Sequence, residues 1–189
     1  MLYTSARRQG DFQAEAWGLL DQIESLLALG DQDRAMPLLG ELVPFLAEDI
    51  GQSEHIWGYG LLAVGWLRAG RLGEALEAAC QANAASGSTA PVAVYTYEGY
   101  AGAAEVLLEL GERRQLGLDV PYDAGQTTRA VAALRAYAKV FPIAGPRAAL
   151  CEGRLAWLEG KQSRAIHHLR RALARAEIMA MPYELGRAA

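Results

Sequence analysis

The chain has 189 residues, of which 52% are hydrophobic and 21% charged, with a formal net charge of −4. A chain of this size buries roughly 70% of its unfolded surface and needs neither metal nor disulfide to fold. Its acidic balance offers no basic face for nucleic acid, and no stretch approaches the ~18 apolar residues of a membrane span.

The first ten residues are polar and aperiodic and read as a tail, 1–10. MLYTSARRQGDF carries two arginines with no apolar run behind them, which is not the pattern of a signal peptide. Asp11 is placed to cap a helix over 12–29 with Leu19, Ile23, Leu26 and Leu27 on one face. Gly30 stops it. Asp31 or Asp33 caps a second helix to Ala47, with Ala35, Leu39, Leu42 and Leu46 facing inward. Pro37 and Pro44 lie inside it, and a kink is expected near Pro44.

After a linker over 48–54, residues 55–86 predict a helical hairpin. Tyr59, Ala63, Trp66 and Leu67 form the first face, Gly70 makes the turn, and Ala75, Leu76, Ala79 and Ala82 form the second. Trp66, Ala75 and Ala79 are expected to be buried. SGSTAP over 86–91 is a break. Ser88 or Thr89 caps the next helix and Pro91 sits in its first turn. Tyr100, Ala103, Ala104 and Leu107 define that helix, and Gly111 is read as its end. Residues 116–125 form an exposed surface insertion. The partner helix begins near Gln126 or Thr127 and reaches Val140 through Val131, Leu134 and Tyr137. FPIAGP over 141–146 breaks the chain again. A helix from Pro146 to Glu159 and its partner over 161–180 follow, with Gly160 between them and Ala165, Leu169, Ala172 and Leu173 facing in. Residues 181–189 open a further helix. Cys80 and Cys151 both fall in helical patterns and read as reduced thiols of a cytoplasmic protein.

The turn glycines stand at 30, 70, 111 and 160, and alanines follow at Ala35, Ala75 and Ala165. A period of this size built from helix pairs is a solenoid signal. The alternative is an irregular helical bundle with four glycine turns. The spacing of Gly30/Ala35, Gly70/Ala75/Ala82 and Gly160/Ala165/Ala172 resembles the tetratricopeptide repeat family. The family's proline after the second helix is absent where Gly87 stands, and the first and third units match less well. Residues 141–188 are similar to the long repeats at the C-terminal end of large bacterial signalling proteins, such as nucleotide-cyclase-linked ATPases and maltose-activator-type regulators. The fold expected is all-α, a right-handed superhelix of about four stacked antiparallel helix pairs over 11–49, 55–86, 89–140 and 146–180, in one domain over 11–189.

No catalytic constellation stands out. GKQS at 160–163 has Leu155 where a phosphate loop needs glycine and Gln162 where it needs serine or threonine. His167 and His168 are adjacent and diverge by about 100° on a helix, so they do not share a metal. No G-x-S-x-G turn is present. Arg164, Arg170, Arg171 and Arg175 read as a solvated face. No cofactor, no metal and no enzymatic activity are expected.

In stacked hairpins the first helix of each pair lines the concave side. That places Trp17, Asp21 and Glu24, then Trp57, Leu61, Val64 and Arg68, then Glu98, Glu105 and Glu109, then Arg147, Arg154 and Trp157 along a groove. The candidate partner-binding residues are Trp17, Trp57, Arg68, Glu98, Glu105, Arg154 and Trp157, since tryptophan and arginine are enriched at binding hot spots. Packing between units is the competing role for the tryptophans. The lysine and asparagine set with which some tetratricopeptide domains clamp a carboxylate is missing. The function expected is that of a non-catalytic protein-interaction scaffold in a bacterial signalling protein. Its partner would be a protein or peptide, another domain of a larger protein, or a second copy packed on residues 178–185, with no nucleic acid and no membrane. A small-molecule or peptide sensor is the alternative.

Overall fold

The computed structural model describes residues 12–87 and 90–188, and among them it is all-helical. The tail 1–10 and the caps expected at Asp11 and Ser88 or Thr89 lie outside the described residues. The helices are α1 (Phe12–Leu29), α2 (Gln32–Leu46), α3 (Gln52–Arg68), α4 (Leu72–Ser86), α5 (Tyr97–Gln115), α6 (Ala124–Val140), α7 (Gly145–Leu158), α8 (Gln162–Ile178) and α9 (Pro182–Ala188). None is long and apolar enough to cross a membrane.

One turn recurs. Gly30, Gly70, Gly117 and Gly160 have φ of 76°, 75°, 82° and 74°, which is the left-handed conformation glycine adopts at least cost. In each, the amide after the glycine reaches back to the previous helix. The Asp31 N–H donates to the Leu26 carbonyl, Arg71 to Trp66, Leu118 to Arg113 and Lys161 to Ala156. These 6→1 bonds satisfy carbonyls that a helix end would otherwise leave open. GKQS at 160–163 is therefore the α7–α8 turn. A fifth copy joins α8 to α9. There the Met181 N–H donates to the Ala176 carbonyl, and Ala180 holds φ 50° without being glycine.

The third glycine was misread from the sequence. Gly111 does not end α5, which runs on to Gln115; Gly111 is buried in that helix against the Tyr122 ring. Leu116, Leu118 and their neighbours are exposed, but Val120 is buried and Tyr122 half-buried, so the segment before Asp123 is pinned at two points. Asp123 caps α6 by accepting from the Gln126 N–H, and α6 starts at Ala124. Pro91 also lies outside a helix, since α5 starts at Tyr97 behind a 3-10 turn over Val94–Thr96. α2 continues through both of its prolines to Leu46, and both sit on the exposed side, where the carbonyls they free can meet water.

Consecutive helices pack on one another, most extensively α3 on α4 and α7 on α8. The odd-numbered helices also touch in succession, α1 on α3, α3 on α5, α5 on α7 and α7 on α9, forming one continuous layer. Predicted faces are largely the buried ones: Leu19, Ile23, Ala35, Leu39, Leu42, Ala75, Ala79, Leu107 and Leu134 are inaccessible. α3 departs from its expected stripe. Trp66, expected inside, is half-buried with the Arg71 guanidinium 5.2 Å from its ring centroid, while Ile56, Trp57, Leu61 and Leu62 are buried.

α3 is covered nearly all round because it carries glycines on several faces. A methyl group on Gly60 would overlap the Gly99 backbone of α5, and one on Gly99 would overlap the Ile56 carbonyl. Gly102 faces the Gly60 carbonyl, Gly58 faces Leu46 and Leu20, and Gly65 faces Leu39. α3 and α5 thus meet backbone to backbone. Gly40 of α2, by contrast, has nothing near it.

The same substitution therefore acts with opposite sign at two sites. Gly99→Ala is expected to cost about 1–3 kcal/mol by overpacking, whereas Gly40→Ala gains about 0.5–1 kcal/mol from helix propensity. Urea unfolding midpoints of the two variants measure this. At the fifth turn, Ala180→Gly relieves the left-handed strain and is expected to add about 1 kcal/mol in the same assay.

Candidate functional site

The odd-numbered layer lines a partly open channel of about 400 Å³. Its wall takes Glu24, Leu27 and Ala28 from α1, Leu61, Val64 and Arg68 from α3, and Glu98 and Glu105 from α5. Arg147 comes from α7, and Tyr183, Glu184 and Arg187 from α9. Four of these five helices, α1, α3, α5 and α7, are those the hairpin geometry assigns to the concave side.

At the α7 end lies a buried ion cluster. The Arg147 side chain is 3% exposed. It donates to Glu184 at 2.6 Å and to Glu98 at 2.9 Å, and its Nε stands 3.5 Å from Glu105. Arg187 pairs with the other Glu105 oxygen at 2.8 Å, and the Tyr97 hydroxyl donates to Glu184 at 3.2 Å. The Arg147 guanidinium also lies over the rings of Tyr97 and Tyr183. Burial works against the charge on Arg147, but Glu105, Glu98 and the Glu184 hydrogen bond more than offset it and hold the group charged. Burial raises Glu98 above the usual carboxylate range, with Arg147 pulling the other way.

At the α1 end stands Glu24. It accepts a 2.5 Å hydrogen bond from the Trp57 indole N–H, and it makes no ion pair with a described residue. Burial pushes its carboxyl up from 4.5 to about 7; the Trp57 bond opposes this, Glu98 and Asp21 add to it, and Arg147 opposes it weakly. Arg68, nearby, donates to the Leu27 carbonyl at the end of α1.

The structure brings Arg68, Glu98 and Glu105 of the predicted set into the channel wall, with Trp57 directly behind it on Glu24. The remaining three lie elsewhere. Trp17 is 44% exposed and donates to Glu54, which also accepts from the Tyr95 hydroxyl. Arg154 forms a two-pronged pair with Glu112, both contacts at 2.7 Å, and Trp157 is 53% exposed. Glu24, Leu61, Val64 and Arg147, which the groove argument also placed inward, are all in the wall.

α9 forms where the sequence predicts the opening of a further helix, but its polar contacts to the rest of the chain were not foreseen. The sequence reading has residues 178–185 offer an apolar surface to a second copy or to the remainder of a larger protein. Ile178, Met179 and Tyr183 are exposed as that reading expects, while Glu184 is buried and Arg187 half-buried against their own chain. The signal available was the i, i+3 spacing of Glu184 and Arg187 on one helix face. Among the described residues no group of His, Cys, Asp and Glu is placed to hold a metal ion, and Cys80 and Cys151 are free thiols.

No known protein family, no curated protein and no solved structure matches the chain.

The raised carboxyl of Glu24 makes stability depend on pH in a defined direction. Below about pH 4 it is protonated in both folded and unfolded chains and contributes nothing. As pH rises from 4.5 to about 7 the unfolded chain releases this proton first, so ionisation becomes a cost to folding, complete above pH 7. Glu24→Gln keeps an acceptor for Trp57 and removes that cost. The variant should match wild type at acid pH and melt about 1–3 °C higher above pH 7, a modest gain because the group is partly solvated. Thermal melts across the pH range check this.

Proposed function

We propose that this chain is a non-catalytic binding module, a right-handed superhelix of stacked helix pairs of the tetratricopeptide type, which receives a segment of a partner protein in its channel. The observation that carries this reading is the convergence of α1, α3, α5, α7 and α9 on one cavity. Its wall joins apolar side chains, Leu61 and Val64 among them, to a few fixed charged groups, which is the usual composition of a recognition site. The recurring glycine turns and the alanines behind them support the stacked-pair architecture. A role in a bacterial signalling protein belongs to the same proposal and rests on the resemblance of residues 141–188.

A second reading, a sensor of a small molecule, is favoured by the size of the channel. About 400 Å³ lies within the range of small-ligand pockets and is small for a whole helix. Both readings place the ligand beside Val64. Val64→Trp should therefore fill the channel while leaving the outer surface unchanged. Selection from a displayed peptide library, and a thermal-shift screen of a metabolite library, are each run against wild type and Val64→Trp. The expected result is at least one ligand whose affinity falls about tenfold or more in the variant. If every ligand found binds Val64→Trp as well as wild type, or none is found, the channel is not a recognition site.

A further inference from the structure

The channel wall carries four carboxylates, Glu24, Glu98, Glu105 and Glu184, against the three guanidinium groups of Arg68, Arg147 and Arg187. The cations are not evenly placed. Arg147 and Arg187 are held at one end by Glu98, Glu105 and Glu184, and Arg68 is turned to the Leu27 carbonyl. There Glu105 Oε1 is 3.5 Å from Arg147 Nε, an ion pair too long for a hydrogen bond. At the other end Glu24 accepts from the neutral indole of Trp57 and makes no ion pair with a described residue. A partly buried carboxylate without an ion-pair partner is a costly arrangement, and among the described residues Glu24 has none, Arg147 acting on it only weakly from a distance. The wall also carries the apolar side chains of Leu27, Leu61 and Val64.

On the proposed reading of the channel as a recognition site, we infer that its occupant is an organic cation on an aliphatic stem, an alkylammonium or alkylguanidinium group. The charge is received by Glu24 with Glu98 behind it, and the stem lies on Leu61 and Val64. A long aliphatic stem with a charged tip matches a wall that joins apolar side chains, Leu61 and Val64 among them, to a carboxylate with no ion-pair partner among the described residues. Binding a cation also relieves the condition that burial imposes on Glu24, because the positive charge stabilises the ionised carboxylate. Two sources carry this chemistry: a free amine, and the side chain of an arginine or lysine in a peptide.

Isothermal titration calorimetry on the full chain at about pH 8 and low salt tests the inference. The probes are agmatine for the free source, a blocked Ala-Arg-Ala tripeptide for the peptide source, and a blocked Ala-citrulline-Ala tripeptide, which keeps the shape of the arginine without its charge. Saturable binding of agmatine or the arginine tripeptide is expected, at least about tenfold tighter than the citrulline peptide. Glu24→Gln and Val64→Trp should each weaken it about tenfold or more, with the Tm of each variant confirming that it is folded. Tighter binding of the tripeptide assigns the peptide source, and tighter binding of agmatine the free amine. Absence of saturable binding by both cations, equal binding of the citrulline peptide, or binding indifferent to Glu24→Gln overturns the inference. A neutral or anionic ligand whose binding is lost in Val64→Trp overturns the cation assignment but leaves the binding-module reading standing.

Discussion

The backbone contact between α3 and α5 is the constraint on which the rest of the molecule depends. Gly60, Gly99 and Gly102 leave no room for a methyl group, so these two helices lie closer than side-chain packing allows. Glycine within a helix costs roughly 0.5–1 kcal/mol, and its presence at these points is explained by the approach it permits. The contact also sets the site. Gly99 rests on the backbone of Ile56 and Trp57, which holds Glu98, the residue before it, beside the helix that carries Trp57. Trp57 in turn positions Glu24 of α1 through its indole N–H. Three helices of the channel wall are thus registered by one seam of small residues.

The second organising feature is electrostatic. Arg147 is almost wholly buried, and removing a charge from water costs several kcal/mol. It is tolerated because carboxylates from two other helices and the faces of two tyrosines surround it. Such a cluster contributes less to stability than an apolar core of the same volume would. What it contributes is geometry: a guanidinium has a fixed fork of donors, so Glu98 and Glu184 can satisfy it only from defined directions. α9 has seven residues and would not form a stable helix alone. Its orientation is set by Glu184 and Arg187 more than by its apolar residues.

Much of this was legible in the sequence where a helix has one dry face and one wet one. The leucine spacing of α1 and α2 gave their boundaries and their buried residues, and Gly30, Gly70 and Gly160 marked their turns correctly. Reading failed where the physical signal was ambiguous. Gly111 and Gly117 are both glycines near the end of α5, and composition does not say which adopts positive φ and which receives a tyrosine ring. The helix-favouring Glu-Arg-Arg-Gln between them was the overlooked clue. α3 has no single apolar period because it is enclosed on most sides, so of the expected stripe Ala63 is fully buried while Trp66 and Leu67 lie at the edge of the core. In the channel, Glu24, Arg68, Glu98 and Arg147 followed from placing first helices inward. The ion pairs to Glu184 were not legible, since they join residues 37 apart through tertiary structure alone.

The hydrogen bond from Tyr97 to Glu184 spans 87 residues of chain. In a linear row of units that touch only their neighbours, the end unit can peel away while the others persist. Here peeling α9 would strip Arg147 of its closest carboxylate and strand a buried charge in α7, while Glu105 in α5 would lose Arg187. The chain from Tyr97 to Arg187 is therefore closed into a loop by polar contacts, and its last seven-residue helix opens only when the body behind it opens. Amide protons of α9 should accordingly exchange with solvent at the rate of that larger unit, far more slowly than those of a free helix of its length.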